Sequence, residues 1–234
     1  MLNVENLSAG YGDIIAVREL SFSVDEGQIL AFLGANGAGK TSAMMCLMGL
    51  VEQKSGTIIM NSENISEKKA EARIRSGLAI VPEGRRVFPD LSVRENLLVG
   101  GHTVAAHIMT AAIDYVYSVF PRLAERRAQS AGSLSGGEQQ MLALGRALVS
   151  QPKLLIVDEL SLGLMPKVVD ECYAVLDTLK RNNIGVLLVE QNTDRALSVA
   201  DKICVLEAGN LIWSGSAMEA KNNASLTERL MGFD

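Results

Sequence analysis

The sequence predicts an α/β fold built around a parallel β-sheet. Three apolar runs in the chain are continuous rather than alternating, which is typical of strands covered on both faces. Each run is followed by a segment whose apolar residues recur every three or four positions, the spacing of an amphipathic helix. A strand, a loop and a helix repeated in this way place a ligand at the carboxyl ends of the strands.

The N-terminal part predicts a small antiparallel β layer, followed by the first strand of the parallel sheet. Leu20 to Val24 alternates apolar and polar residues, and Thr57 to Met60 is short and rich in β-branched residues. Ile29 to Leu33 is the first continuous apolar run. The helical apolar positions that follow it are Met44, Leu47 and Met48.

The middle of the chain predicts a helical subdomain, at about residues 92–150, inserted into the core. Its apolar residues at helical spacing are Ala105, Met109, Ala112, Ile113, Val116 and Phe120. The remaining core strands are Leu154 to Val157 and Val186 to Val189, and Pro166 marks the start of the helix between them. No Pro- or Ser-rich linker divides the chain, so we expect one domain over residues 1–234.

The composition restricts the kinds of partner. The chain has 22 basic and 27 acidic residues and a net charge of −5, which argues against attraction to nucleic acid or anionic lipid. The start has no secretory pattern, and the longest largely apolar stretch, Ala43 to Val51, is too short for a membrane helix. We therefore expect a cytosolic chain without a nucleic-acid partner.

A glycine-rich loop between a predicted strand and a predicted helix is the strongest local signal. Its sequence, GANGAGKT, matches the phosphate-binding pattern G-x-x-x-x-G-K-[ST]. Backbone N–H groups and the helix N-terminus would hold phosphate oxygens, Lys40 would reach the β and γ phosphates of ATP, and Thr41 would bind Mg²⁺. The alternative is an ordinary glycine-rich turn. The predicted loop residues are Gly34, Ala35, Asn36, Gly37, Ala38, Gly39, Lys40, Thr41 and Ser42.

Two adjacent carboxylates follow the strand Leu154 to Val157. Asp158 would hold the Mg²⁺ shell, and Glu159 would orient and deprotonate the attacking water. Acidic residues after a strand also serve as helix caps, but the glycine-rich loop favours the catalytic interpretation.

The segment Leu134 to Gln139 has the sequence LSGGEQ before a helical apolar face. Ser-Gly-Gly at a helix start offers N–H groups and a hydroxyl to an anion, although those three residues alone more often mark an ordinary capped helix. Taken in order with the glycine-rich loop and LLIVDE, this segment resembles the ATP-binding cassette of ABC transporters over nearly the whole chain. The resemblance implies a P-loop nucleotidase of the ABC cassette type.

The resemblance also implies how the cassette works. Ser135 and Gly137 would reach the γ-phosphate of ATP bound to a second, head-to-tail cassette, which is either an identical or a paralogous ATP-binding subunit. Tyr11 would stack on adenine, the alternative being a surface tyrosine. Ser161 to Met165 stands where the family has its D-loop, with Met165 at a position where many cassettes carry aspartate.

Two departures from the family pattern indicate a particular subfamily of ABC cassettes. Glu83 stands where most cassettes have the Q-loop glutamine, a position linked to nucleotide and Mg²⁺ binding. Gln191 stands where most cassettes have the switch histidine, and we expect it to take the catalytic role of that histidine by donating its side-chain amide to the γ-phosphate. The strings VPEGR and VEQN resemble the ATPases of branched-chain (hydrophobic) amino-acid importers. Cassettes for urea, short amides or other carboxylated solutes share these strings.

Three classes of protein share parts of this pattern. The favoured class is the ATPase of a transporter at the cytoplasmic face of the membrane, working with integral membrane permease subunits and indirectly with a solute-binding protein. A soluble ABC-type mechanoenzyme would usually carry a long coiled-coil insertion or two cassettes. A GTPase or small-molecule kinase would leave LSGGEQ unexplained.

Overall fold

The structure is a computed structural model, and it describes residues 1–231. The strands are β1 (Leu2–Tyr11), β2 (Ile14–Val24), β3 (Ile29–Leu33), β4 (Glu52–Met60), β5 (Glu63–Asn64), β6 (Leu78–Val81), β7 (Leu154–Asp158), β8 (Gly185–Val189), β9 (Lys202–Glu207) and β10 (Asn210–Ser216). The helices are α1 (Lys40–Leu47), α2 (Ala70–Arg75), α3 (Val93–Gly100), α4 (Ala106–Val119), α5 (Pro121–Glu125), α6 (Gly136–Val149), α7 (Pro166–Arg181), α8 (Thr193–Val199), α9 (Ala217–Asn222) and α10 (Ala224–Met231).

The N-terminal strands form an antiparallel sheet in the order β2-β1-β4-β5. In β2, Leu20, Phe22 and Val24 are buried whereas the serines between them are not, because alternate side chains of a strand point to opposite faces. The Phe22 ring meets the edge of Phe32 on β3 at a centroid distance of 4.9 Å. The predicted antiparallel layer is confirmed, and it packs on the larger sheet.

The larger sheet has the order β10-β9-β3-β8-β7-β6. All neighbouring strands in it are parallel except β9 and β10. The three apolar runs predicted as core strands are β3, β7 and β8, and every residue in them is buried. The predicted mostly parallel sheet is confirmed.

Both faces of this sheet are covered, which explains why its strands are apolar throughout. Ile29, Ala31 and Leu33 belong to one hydrophobic cluster, with the middle and C-terminal helices. Leu30 and Phe32 belong to a second cluster, with α1 and the antiparallel sheet. Successive residues of one strand therefore pack into different hydrophobic clusters. A charged side chain at any of these positions would be buried without compensation.

The segment predicted to be helical contains α3, α4, α5 and α6. Ala112, Ile113 and Val116 of α4 are buried, as their spacing predicts. Ser92 and Ser135 begin α3 and α6 with capping boxes, in which the serine and the third helical residue bond each other's backbone N–H. No helix in the described part of the chain is long and apolar enough to cross a membrane.

The strand order brings three loops together at one edge of the sheet. Because β3, β8 and β7 are neighbours and parallel, their carboxyl ends lie side by side. The glycine-rich loop follows β3, Asp158 ends β7 and precedes Glu159, and Glu190 and Gln191 follow β8. Residues distant in sequence thus meet where an α/β sheet places its ligand.

Candidate active site

The loop after β3 combines close backbone packing with one buried lysine. Any side chain at Gly34 would place its Cβ 2.1 Å from the carbonyl oxygen of Leu206, so only glycine fits there. The Lys40 ammonium group donates hydrogen bonds to the carbonyl oxygens of Gly34 at 2.5 Å and Ala35 at 3.1 Å. Gly39 begins α1 without a side-chain cap, so the first N–H groups of the helix are open to an anion.

A cavity of about 410 Å³ lies at this loop, within the range of small-molecule sites. It is lined by Ile14, Ile15, Ala16, Arg18, Asn36, Gly37, Ala38, Gly39, Lys40, Thr41, Ser42, Glu159 and Ala208. The predicted loop residues from Asn36 to Ser42 therefore share one cavity with the predicted base.

The residue predicted to stack on adenine, Tyr11, lies at the β1–β2 hairpin. Tyr11 is 55 % exposed and pairs with Ile14 across the β1–β2 hairpin, but it is not one of the lining residues, whereas Ile14 and Ile15 are. Arg18 also lines the cavity and donates to the carbonyl oxygen of Ala208 at 3.2 Å. Arg18 was not predicted as a site residue, because a single arginine in an edge strand matches no motif.

The two carboxylates after β7 have different surroundings. Asp158 is 2 % exposed, and its burial, with the nearby charges of Glu159 and Glu83, raises the pKa of its carboxyl group to about 6 despite the attraction of Lys40. Burial also lowers the pKa of Lys40, an effect that Glu159 and Asp158 oppose. Glu159 is half-buried, has a φ of 51° and donates its backbone N–H to the Val189 carbonyl oxygen at 2.9 Å.

Gln191 connects the acidic loop to the glycine-rich loop. Its side-chain nitrogen Nε2 donates to Oε1 of Glu159 at 3.0 Å and also to Oδ1 of Asn36. The residue at the switch position therefore contacts both the predicted base and the phosphate loop. The amide can donate without changing its charge near neutral pH, which a histidine cannot.

The predicted metal ligands provide few protein oxygens. Thr41 lines the cavity, and Glu83 is exposed but close enough to raise the pKa of Asp158. Among residues 1–231 there is no group of three or more His, Cys, Asp or Glu side chains that could hold a metal ion. These oxygen donors suit Mg²⁺, which usually binds through one or two carboxylates, substrate phosphates and water.

The signature segment is a well-capped helix start away from the cavity. The Ser135 hydroxyl donates to Oε2 of Glu138 at 2.8 Å, and Glu138 pairs with Arg126 at 2.7 Å. Gly137 is buried against α7, where a Cβ would lie 2.5 Å from Cγ1 of Val168. Neither Ser135 nor Gly137 is among the residues that line the cavity.

One buried cluster beside the site was not predicted. Glu190 is 1 % exposed and accepts hydrogen bonds from Ser161 and Tyr173. The position of Glu190 at the end of an apolar run was a usable signal. Tyr173 offered none, because a tyrosine on a helix most often packs in the core.

This fold and site define the class of protein. The family model described as ABC transporter matches residues 17–161. The chain therefore belongs to the ABC transporter family, and it is an ATP-binding cassette of the type that hydrolyses ATP.

Individual relatives match almost the whole chain. The high-affinity branched-chain amino acid transport ATP-binding protein BraG of Pseudomonas aeruginosa is 41 % identical over 232 residues, covering 99 % of this chain and 100 % of that protein. A probable branched-chain amino acid transport ATP-binding protein, LivF of Archaeoglobus fulgidus, is 33 % identical, covering 100 % of this chain and 99 % of that protein. The chain is thus closely related to ATPases of branched-chain amino-acid transport.

Solved structures agree in fold. The ADP conformation of an ATP-binding cassette of an ABC transporter has a TM-score of 0.89 at 23 % identity, covering 99 % of this chain and 98 % of that one. A bacterial ABC transporter cassette described as dimeric has a TM-score of 0.81 at 18 % identity, covering 93 % and 99 %. The predicted ABC cassette fold is confirmed.

Proposed function

We propose that this chain hydrolyses ATP to energise an importer of branched-chain or related amino acids, at the cytoplasmic face of the cell membrane. The observation that carries the proposal is the 41 % identity to BraG over essentially both full lengths. The strings around Glu83 and Gln191, unusual among cassettes, support the same subfamily.

In this proposal the glycine-rich loop and Lys40 bind the phosphates of ATP. The ammonium group now shared between two loop carbonyls is close enough to the cavity to turn toward the β and γ phosphates. Thr41, Asp158 and Glu83 would hold Mg²⁺, which neutralises phosphate charge when bound. The buried Asp158 carboxylate suits this role. A cation beside it would stabilise the charged carboxylate and so lower the pKa that burial raises.

Glu159 acts as the general base on the attacking water. It lines the same cavity as the phosphate loop, and the Gln191 amide holds one of its carboxylate oxygens. Gln191 then also faces the γ-phosphate position, through its contact with Asn36 in the phosphate loop. The second carboxylate oxygen of Glu159 is left to take the proton from water.

The working unit is a dimer of cassettes. Ser135 and Gly137 lie outside the cavity of their own chain, which supports their action on ATP bound by a partner subunit. The loop after Glu159 also exposes Leu162, at 56 %, and Met165, at 72 %, and a second cassette would cover these apolar side chains.

The permease contact lies between the large sheet and the helical segment. A cavity of about 230 Å³ there is lined from the sheet side by Leu78 and Ile80 and from the helical side by Val99 and His102. Side chains from a short helix of a membrane subunit would enter this groove, and closure of the cassette dimer would move that helix. The solute-binding protein contacts the permease and not this chain.

Leucine uptake by cells that lack the chain tests the proposal. The wild-type chain should restore uptake and Lys40→Ala should not, since Lys40 is the cation at the phosphates. Lys221→Ala, an exposed lysine on α9, is the matched control and should restore it. Restored uptake of urea or short amides without leucine would overturn the assignment of the solute.

A further inference from the structure

Glu190 lies at the centre of a buried hydrogen-bond cluster that the proposed chemistry does not use. The hydroxyl of Tyr173 donates to its Oε1 at 2.8 Å. The Ser161 backbone N–H donates to Oε1 at 3.2 Å, and the Ser161 hydroxyl donates to Oε2 at 3.1 Å. One carboxylate therefore joins the end of β8, the loop after Glu159 and helix α7.

A buried carboxylate is costly unless its hydrogen bonds are provided. Glu190 is 1 % exposed, and this burial raises the pKa of its carboxyl group, which the hydrogen bonds from Tyr173 and Ser161 oppose. Glu190 thus depends on its donors, and the loop carrying Ser161 depends on Glu190. An apolar residue at position 190 would leave the buried Tyr173 hydroxyl and the Ser161 N–H without this acceptor, so the carboxylate and its donors form one unit.

The cluster borders the groups that act on ATP. Gln191 follows Glu190 directly, and its amide contacts Glu159. The backbone N–H of Glu190 donates to the Phe32 carbonyl oxygen at 3.3 Å, two residues before the phosphate loop. Ser161 is two residues after Glu159. The Glu190 side chain therefore ties together the two segments that carry the predicted base and its amide partner.

We propose that Glu190 is a positioning residue for ATP hydrolysis, which fixes the loop from Glu159 to Met165 and the Gln191 segment relative to each other. This inference rests on the proposed role of Glu159 as general base. It extends that role, because Leu162 and Met165 of the same loop are exposed, where the proposed partner subunit would cover them. Contact with the partner would shift Ser161, and Glu190 would pass the shift to Gln191.

Steady-state ATP hydrolysis by the full chain tests the proposal. Glu190→Ala should lower kcat about tenfold while KM for ATP stays unchanged, because the lost hydrogen bonds hold the base and not the phosphate loop. Tyr173→Phe should lower kcat about threefold, as it removes one hydroxyl and retains the ring. Glu171→Ala, an exposed glutamate on the same helix, should leave both constants unchanged.

A double variant separates positioning from general destabilisation. If the Tyr173 hydroxyl acts through Glu190, Tyr173→Phe should have no further effect on kcat in the Glu190→Ala background. Glu190→Gln should recover part of kcat, because its amide oxygen still accepts the Ser161 N–H. Normal kcat in Glu190→Ala, a rise in KM together with the fall in kcat, or additive effects of the two substitutions would overturn the proposal.

The same assay distinguishes this inference from the function on which it rests. Glu159→Gln should be nearly inactive. If Glu159→Gln hydrolyses ATP at the normal rate, the assignment of the base is wrong and the positioning role falls with it. If Glu159→Gln is inactive while Glu190→Ala is normal, only the positioning role is wrong.

Discussion

At the scale of single residues, Gln191 links the predicted base to the phosphate loop. Its amide nitrogen lies 3.0 Å from Oε1 of Glu159, so a carboxylate at position 191 would repel the base as well as the γ-phosphate. We predict that Gln191→Ala lowers the rate of hydrolysis on the order of tenfold or more, that Gln191→Glu lowers it further, and that Gln191→His retains appreciable activity. Single-turnover rates at saturating ATP measure this order.

The neighbouring residue provides the control for Gln191. Asn192 is also an amide, but its oxygen caps α8 by accepting the Arg195 N–H at 2.9 Å. Asn192→Ala should therefore lower stability by about 1 kcal/mol without a comparable loss of rate. Equal rates for glutamine, alanine and glutamate at position 191, with ATP occupancy verified, would mean that the residue has no role in hydrolysis.

Motifs predicted the identities of the site residues better than their contacts. Lys40, Asp158 and Glu159 belong to short motifs that can be recognised from neighbouring residues in the sequence. The contact between Gln191 and Asn36 joins residues 155 positions apart, and only the strand order brings them together. Tyr173 and Arg18 escaped prediction for the same reason, since neither stands in a motif.

At the scale of elements, α6 presents the signature segment at its N-terminus. Ser135 caps this helix, so its substitution has a structural effect in addition to any effect on ATP. Ser135→Ala removes the cap, which is worth about 1 kcal/mol, together with the hydroxyl proposed to reach the partner's ATP. Ser135→Arg also adds a long cation that would block approach of the partner subunit.

We predict that Ser135→Arg leaves ATP binding to the monomer intact but abolishes dimer formation and hydrolysis together. Ser135→Ala controls for the cap: it should lower the melting temperature but weaken dimer formation less than Ser135→Arg does, because it adds no cation that blocks the partner. Fluorescent-nucleotide titration and sedimentation measure the two properties. A loss of ATP affinity in the Ser135→Arg monomer would show that the residue acts on nucleotide in its own chain.

The elements differ in how clearly sequence predicts them. The strands β3, β7 and β8 lie in the middle of the sheet and are apolar throughout, so their runs stand out. The strand β4 extends over Glu52–Met60, well beyond the predicted Thr57 to Met60, because its first half is polar and contains Gly56 at a φ of 92°. Pairing with β1 extends this strand, and no local propensity indicates it.

At the scale of the whole molecule, the structure holds half of each proposed ATP site. The phosphate loop, the two carboxylates and Gln191 meet at one sheet edge, whereas Ser135 and Gly137 lie outside that cavity. If the proposal is right, a single chain would bind ATP without completing the site, and hydrolysis would require a second cassette. Dimer formation should thus depend on ATP and should end when ATP is hydrolysed.

Sedimentation of Glu159→Gln with ATP and Mg²⁺ tests this account most directly. The substitution removes the proposed base without altering the phosphate loop, so hydrolysis should fall on the order of a hundredfold or more while ATP still closes the dimer. The predicted result is a stable dimer that holds two ATP molecules, formed with ATP but not with ADP. A variant that binds ATP yet remains monomeric, or that hydrolyses ATP at the normal rate, would contradict the account.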